Sequence, residues 1–228
     1  MNFITAYKNA LGVLAKKPVM LWGLSLLLTL LTGVTAAVTA GTPVVTFIVL
    51  YLFALGSAKL YMDGLAGKEV NSKQLFFAFN RNFVRNAGAM AWRDLWQLIW
   101  GFVPVMGVIK SYQYRFVPYI ITTHPEISAF DALKISMEMT KGKKRHMFLA
   151  DLLYYAVPGT TILVLGWMAG LFSRIPYLGD ILSSSVGLII FAVYMVIALF
   201  GAIFTGLYSA AFFNEEEVAQ YIPTSDAE

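Results

Sequence analysis

Between Val19 and Ala40 the chain runs for 22 residues without a charged side chain. A helix needs about 20 apolar residues to cross the hydrocarbon of a bilayer. Loops and open strands cannot cross, because their backbone polar groups would go unsatisfied there. A second apolar run, Val44 to Met62, follows after the uncharged break Gly41-Thr42-Pro43, with Lys59 near its end. Two more lie downstream: His146 to Phe172, which contains Pro158-Gly159, and Ile181 to Phe213. Composition agrees, since 58% of the 228 residues are hydrophobic and only 13% are charged. A soluble domain carries roughly 25% charged residues, so there is too little polar surface here to coat a globule. The absence of cysteine excludes disulfides and thiolate chemistry.

Lys8, Lys16 and Lys17 precede the first run, as in a signal peptide. The run is longer than the roughly 7–15 residues of a signal core, so it is expected to be retained as a span. Lysine and arginine in short loops set orientation. They cluster before the first span, after the second (Lys68, Lys73, Arg81, Arg85) and before the run that starts at His146 (Lys134 to Arg145). The Gly41–Pro43 break has none. Both termini and the basic loops are expected in the cytoplasm, with Thr42 and Pro176 outside.

The stretch from Leu95 to Ile109 is apolar but too short to cross, and Arg93, Asp94, Lys110 and Arg115 flank it. Basic loops on both sides place both flanks on the same face of the membrane. Read from Gly88 to Ile121, the segment divides at Val103-Pro104-Val105-Met106-Gly107, where proline breaks a helix and glycine tolerates the turn. A short helical hairpin is expected, either thin and tilted or re-entering from the cytoplasm. Charges at membrane depth pair or face a wet cavity. Arg93, Asp94, Gln97, Lys110, Gln113, Arg115 and the intramembrane Asp151 are therefore candidates for a polar cleft. Asp94 is expected to pair with Lys110, Arg115 or another buried base.

Ile127 to Lys141 has helical spacing after a capping-box-like Ser128-x-x-Asp131. Its charged stripe (Asp131, Lys134, Glu138, Lys141) predicts an amphipathic helix on the cytoplasmic interface, closed by Gly142. A second such helix is expected at Lys73 to Arg85. Lys141, Lys143, Lys144 and Arg145 are candidate contacts for anionic lipid, which juxtamembrane cations attract by about 1 kcal/mol each. His124 and His146 lack metal-ligand spacing, and no P-loop, G-x-S-x-G, H-E-x-x-H or dinucleotide fingerprint occurs. No metal, cofactor or nucleic-acid partner is expected. The spacings Gly166-x-x-x-Gly170 and Gly201-x-x-x-x-Gly206 allow close helix approach.

From Gly107 the chain reads GVIKSYQYRFVPYIITTHPEISAFDALKISMEMTKGKKRHMFLADL. Gly107, Val108, Ile109, Lys110, Tyr112, Tyr114, Pro118, Tyr119, Ile120 and Pro125 carry a resemblance. It continues through Ser136, Met139, Lys141, Gly142, Lys144, Phe148, Asp151 and Leu152. The region resembles the signature of the bacterial integral membrane protein family catalogued as domain of unknown function 975. Thr140 stands where the family pattern has a second methionine. The resemblance implies a polytopic bacterial membrane protein and names no reaction.

Together these readings predict an all-α polytopic transmembrane bundle. It would have about six membrane helices, including the short Pro/Gly-broken hairpin, plus cytoplasmic interfacial amphipathic helices. Residues 1–213 form one helical membrane domain and 214–228 a short acidic cytoplasmic tail. The expected function is that of a non-enzymatic component of the bacterial cytoplasmic membrane, binding membrane lipids, another membrane protein or a second copy of itself. A small transporter or channel using the 93–115 hairpin, and a lipid head-group enzyme, are the alternatives.

Overall fold

The computed structural model describes residues 2–16, 18–80, 82–175 and 179–221. Among the described residues all regular structure is helical, in the order α1 Phe3–Ala15, α2 Val19–Val38, α3 Pro43–Leu65, α4 Ser72–Asn80, α5 Phe83–Gly101, α6 Pro104–Gln113, α7 Val117–Thr123, α8 Ala129–Met139, α9 Lys144–Phe172, α10 Gly179–Phe212 and α11 Glu215–Val218. Pro176 and residues 222–228 lie outside the described residues, so the expected outer turn and the end of the tail do too. Among the described residues, α2, α3 and α9 are long and apolar enough to cross a membrane. That is the mark of a membrane protein.

The chain builds two long hairpins, α2–α3 and α9–α10, that share a core at one end. Buried side chains occupy the first half of α2 (Leu21, Leu24, Leu28) and α3 from its middle onward (Leu52, Leu55, Leu60). They also occupy the start of α9 (Met147, Ala150) and the last turns of α10 (Ile203, Leu207, Phe212). Helices α1, α4 and α5–α8 pack around these ends. In the far halves the described side chains Val34, Val38, Val44, Leu163, Val164, Trp167 and Leu188 point outward. An apolar surface so extensive would drive association in water, whereas lipid covers it without cost.

Local chemistry explains the boundaries. Pro104 stands at the first turn of α6, where its missing N–H is no loss, and so the hairpin breaks at Phe102-Val103. A Cβ on Gly107 would lie 3.1 Å from Gly101 Cα, which shows how closely the two arms meet. Gln97 Nε2 donates to the Gly107 carbonyl at 2.9 Å across them. The second arm stops again at Tyr114–Phe116, so α6 has 10 residues, roughly 15 Å of helix. Ser128 caps α8, its hydroxyl accepting from the Asp131 N–H at 3.1 Å. Gly142, at φ 74°, provides the left-handed turn between α8 and α9.

Three features depart from expectation. The single interfacial helix expected over Lys73–Arg85 is two helices meeting at Asn82, whose φ of 48° lies in the left-handed region that asparagine tolerates. The segment before the first span, read only as a basic flank, is α1. It is capped by Asn2 and packs through Ala6 and Ala10, which let it approach α10 closely. The acidic tail begins with α11, whose Val218 is fully buried against the core.

Candidate functional site

The turn between α6 and α7 holds the most concentrated polar chemistry. Ser136 on α8 is fully buried and fastens that turn from both sides. Its hydroxyl donates to the Gln113 carbonyl at 2.6 Å and accepts from the Phe116 N–H at 3.2 Å. Arg115 is thereby aimed at α9. Its Nη1 lies 2.8 Å from Asp151 Oδ2 and its Nη2 3.1 Å from Asp151 Oδ1, a bidentate pair. Nη2 also donates to Ser209 Oγ on α10 at 2.8 Å. The Tyr208 hydroxyl donates to Asp151 Oδ1. The guanidinium lies 5.7 Å from the Tyr112 ring centre and 5.6 Å from that of Tyr208. Tyr7 of α1 packs against Tyr208 and donates to the Ala150 carbonyl.

Each group in this network satisfies another, as a low-dielectric site demands. Both side chains of the ion pair are only 19% exposed. What exposure remains opens into a cavity of about 390 Å³ between the two hairpins. Leu28, Ser57 and Tyr61 form one wall, Tyr155 and the α10 residues Ala202, Thr205 and Gly206 the other. Asp151 is the seventh residue after Lys144, about 10 Å along α9 at 1.5 Å per residue. The cavity floor therefore sits some two turns in from the basic end of the helix.

The other expected cleft residues are distributed elsewhere. Asp94 pairs with its neighbour Arg93, Oδ1 to Nη2 at 2.6 Å, and not with Lys110 or Arg115. The reason is that α5 turns Asp94 towards Tyr51 of α3, whereas Arg115 faces α9. Asp94 and Gln97 line a separate, larger hollow of about 780 Å³ with Phe47 and Tyr51. Lys110 faces α8, its Nζ 4.8 Å from the Trp100 ring centre and 3.7 Å from Met137 Sδ. Gln113 contributes its carbonyl to Ser136, and its own side-chain oxygen is buried without a partner among the described residues. Of the seven expected cleft residues, Arg115 and Asp151 alone meet in an ion pair across helices.

The basic run divides as well. Lys141 pairs with Glu138 at 2.5 Å, and Lys143 with Glu217 of α11 at 2.6 Å. Lys144 and Arg145 form no ion pair among the described residues. No group of three His, Asp or Glu among the described residues could share a metal ion.

Sequence reasoning missed Ser136, Tyr208, Ser209 and Tyr112 as parts of the network. A signal existed for two of them, because Tyr208-Ser209 interrupts the apolar end of α10. Ser136 lies among the buried residues of α8, where its hydroxyl finds backbone partners. No family model, curated protein or solved structure matches the chain.

Proposed function

We propose that this chain is a multi-pass protein of the bacterial cytoplasmic membrane that binds a membrane lipid without chemistry. The observation that carries the reading is the cavity between the hairpins, with a closed ion-pair network for its floor. Asp151 accepts from Arg115 and Tyr208, so the carboxylate on the cavity floor is already engaged and is not poised as an acid or base. Hydroxyls of Ser57, Tyr61 and Thr205 beside the apolar Leu28 and Ala202 suit the glycerol and ester region of a lipid. The exposed apolar faces beyond suit its chains. The charges of the broken hairpin point to α3, α8 and α9 in turn and line no common path, which weighs against a channel through residues 93–115. The resemblance over Gly107–Leu152 supports a bacterial source.

Benzophenone photocrosslinking tests this reading. A benzoylphenylalanine at Thr205 should yield a saturable adduct with one lipid class, abolished by Ala202→Phe, which fills the cavity. The same probe at Leu163, on the exposed face of α9, should report the bulk lipid mixture. The same unsaturable mixture at both positions would sink the reading. A protein adduct at Thr205 would instead favour a membrane partner.

In the proposed topology α2, α3, α9 and α10 cross, while the α5–α6 hairpin re-enters, because roughly 15 Å of helix cannot span a core of roughly 30 Å. An even number of crossings keeps both ends in the cytoplasm. The cysteine-free chain permits a direct check with single cysteines and an impermeant thiol reagent on intact cells. Thr42→Cys should label, and the exposed positions Ser72→Cys and Glu126→Cys should not. The opposite pattern would invert the orientation.

A further inference from the structure

Lys110 is a part-buried charge that the network around Asp151 leaves out. It has no carboxylate within ion-pair reach among the described residues. Its ammonium sits instead between the rings of Trp100, at 4.8 Å, and Tyr114, at 5.7 Å, and against the Met137 sulfur. The charges that face it are also positive. Lys134, across the same groove on α8, lies 4.2 Å from the Phe130 ring centre, and Lys144 acts on Lys110 through space. Lys110 and Lys134 line an apolar hollow of about 270 Å³ between the broken hairpin and the amphipathic α8. Its walls are Trp96, Leu133 and the aromatic rings already named. Gathering like charges on an apolar surface is unfavourable unless an anion is present, and at a membrane surface the abundant anion is a lipid phosphate.

We propose that this groove is a second lipid site, selective for an anionic phospholipid, whose phosphate bridges Lys110 and Lys134 while a chain follows α5. The hollow is too small for a whole lipid, so the chain must leave it. Ile99, three residues on from Trp96, is 46% exposed and continues the apolar face towards the hairpin tip at Phe102, which is 83% exposed. Head group and chain thus have the direction that a re-entrant hairpin requires: the charges lie on the cytoplasmic side and the tip in the hydrocarbon. The site rests on the chain being membrane-embedded and lipid-binding, but not on the cavity above Arg115–Asp151. It also shifts the anionic contact away from Lys141 and Lys143, which are already paired within the protein.

Trp96 and Trp100 make the groove its own reporter. The full chain is reconstituted into nanodiscs containing phosphatidylglycerol or phosphatidylcholine with brominated chains, at equal mole fraction, and tryptophan fluorescence is recorded. Phosphatidylglycerol should quench more strongly. Lys110→Gln and Lys134→Gln should each reduce that excess and together abolish it, while Lys110→Arg retains it. Lys134 is exposed, so its variant leaves packing intact even if Lys110→Gln disturbs the hairpin. Equal quenching by the two lipids overturns the proposal, and so does an excess that survives the double variant. Displacement of the brominated lipid by inorganic phosphate would mark a soluble-anion site and overturns the lipid assignment. The Thr205 crosslink is independent of all these outcomes, so either lipid site can fail alone.

Discussion

Asp151→Ala is expected to cost about 3–5 kcal/mol of stability, the loss seen when one partner of a buried ion pair is removed. The substitution leaves the Arg115 guanidinium without its anion; its remaining hydrogen-bond partner among the described residues is Ser209.

 

The quantity that bears on the cost is the exposure of the pair, 19% for each side chain. Arg115→Met should cost a similar amount by stranding the carboxylate. The double variant Arg115→Met/Asp151→Leu should recover much of the loss, because two apolar side chains of similar size leave no charge behind. Tyr208→Phe removes a single hydrogen bond to a charged group and should cost about 1.5–3 kcal/mol. Unfolding in mixed detergent micelles measures all four. Additive losses in the double variant would show that the two residues act separately, and the network would then not be the brace between α6, α9 and α10.

Gly56→Ala should also be strongly destabilising, for a steric reason. A Cβ at Gly56 would lie 2.2 Å from the Leu75 carbonyl oxygen and 2.9 Å from its carbon. Both sides of that contact are backbone, and Leu75 is fully buried, so no side chain can swing away. Helices α3 and α4 would have to separate, and overpacking of this kind costs about 1–3 kcal/mol. Gly166→Ala and Gly170→Ala are the controls. The structure has open space at both positions, and substitution there should change stability by no more than about 0.5 kcal/mol. Equal melting temperatures for Gly56→Ala and the controls would refute the close α3–α4 contact.

Much of the architecture was legible in the chain. Long uncharged runs mark α2, α3 and α9, since hydrocarbon accepts little else. Pro104, Ser128 and Gly142 mark element ends through chemistry confined to one or two residues: a missing N–H, a capping hydroxyl and a left-handed turn. Gly201-x-x-x-x-Gly206 pointed to a close approach, and Gly206 does press on Tyr61, where an added Cβ would lie 2.2 Å from Cε2. The equally suggestive Gly166 and Gly170 meet nothing. Spacing permits a contact, but only a neighbouring helix makes one.

Pairing was decided by tertiary structure. Arg115 and Asp151 were both visible as charges in apolar surroundings, yet their partnership spans 36 positions and depends on how α6 meets α9. The short separation that made Asp94 and Lys110 look like partners is undone by the rotation of each helix, which sends one towards α3 and the other towards α8. α1 was hidden because a short amphipathic segment draws its stability from the surface it packs on and not from its own propensity. The same holds for α11, where four residues have no helical preference worth reading until Val218 is buried and Glu217 meets Lys143. Sequence by itself therefore determined which segments are long and apolar enough to cross a membrane and where they break, because solvation and backbone chemistry act locally. Which charges neutralise one another, and which have no ion-pair partner among the described residues, depended on contacts between distant helices.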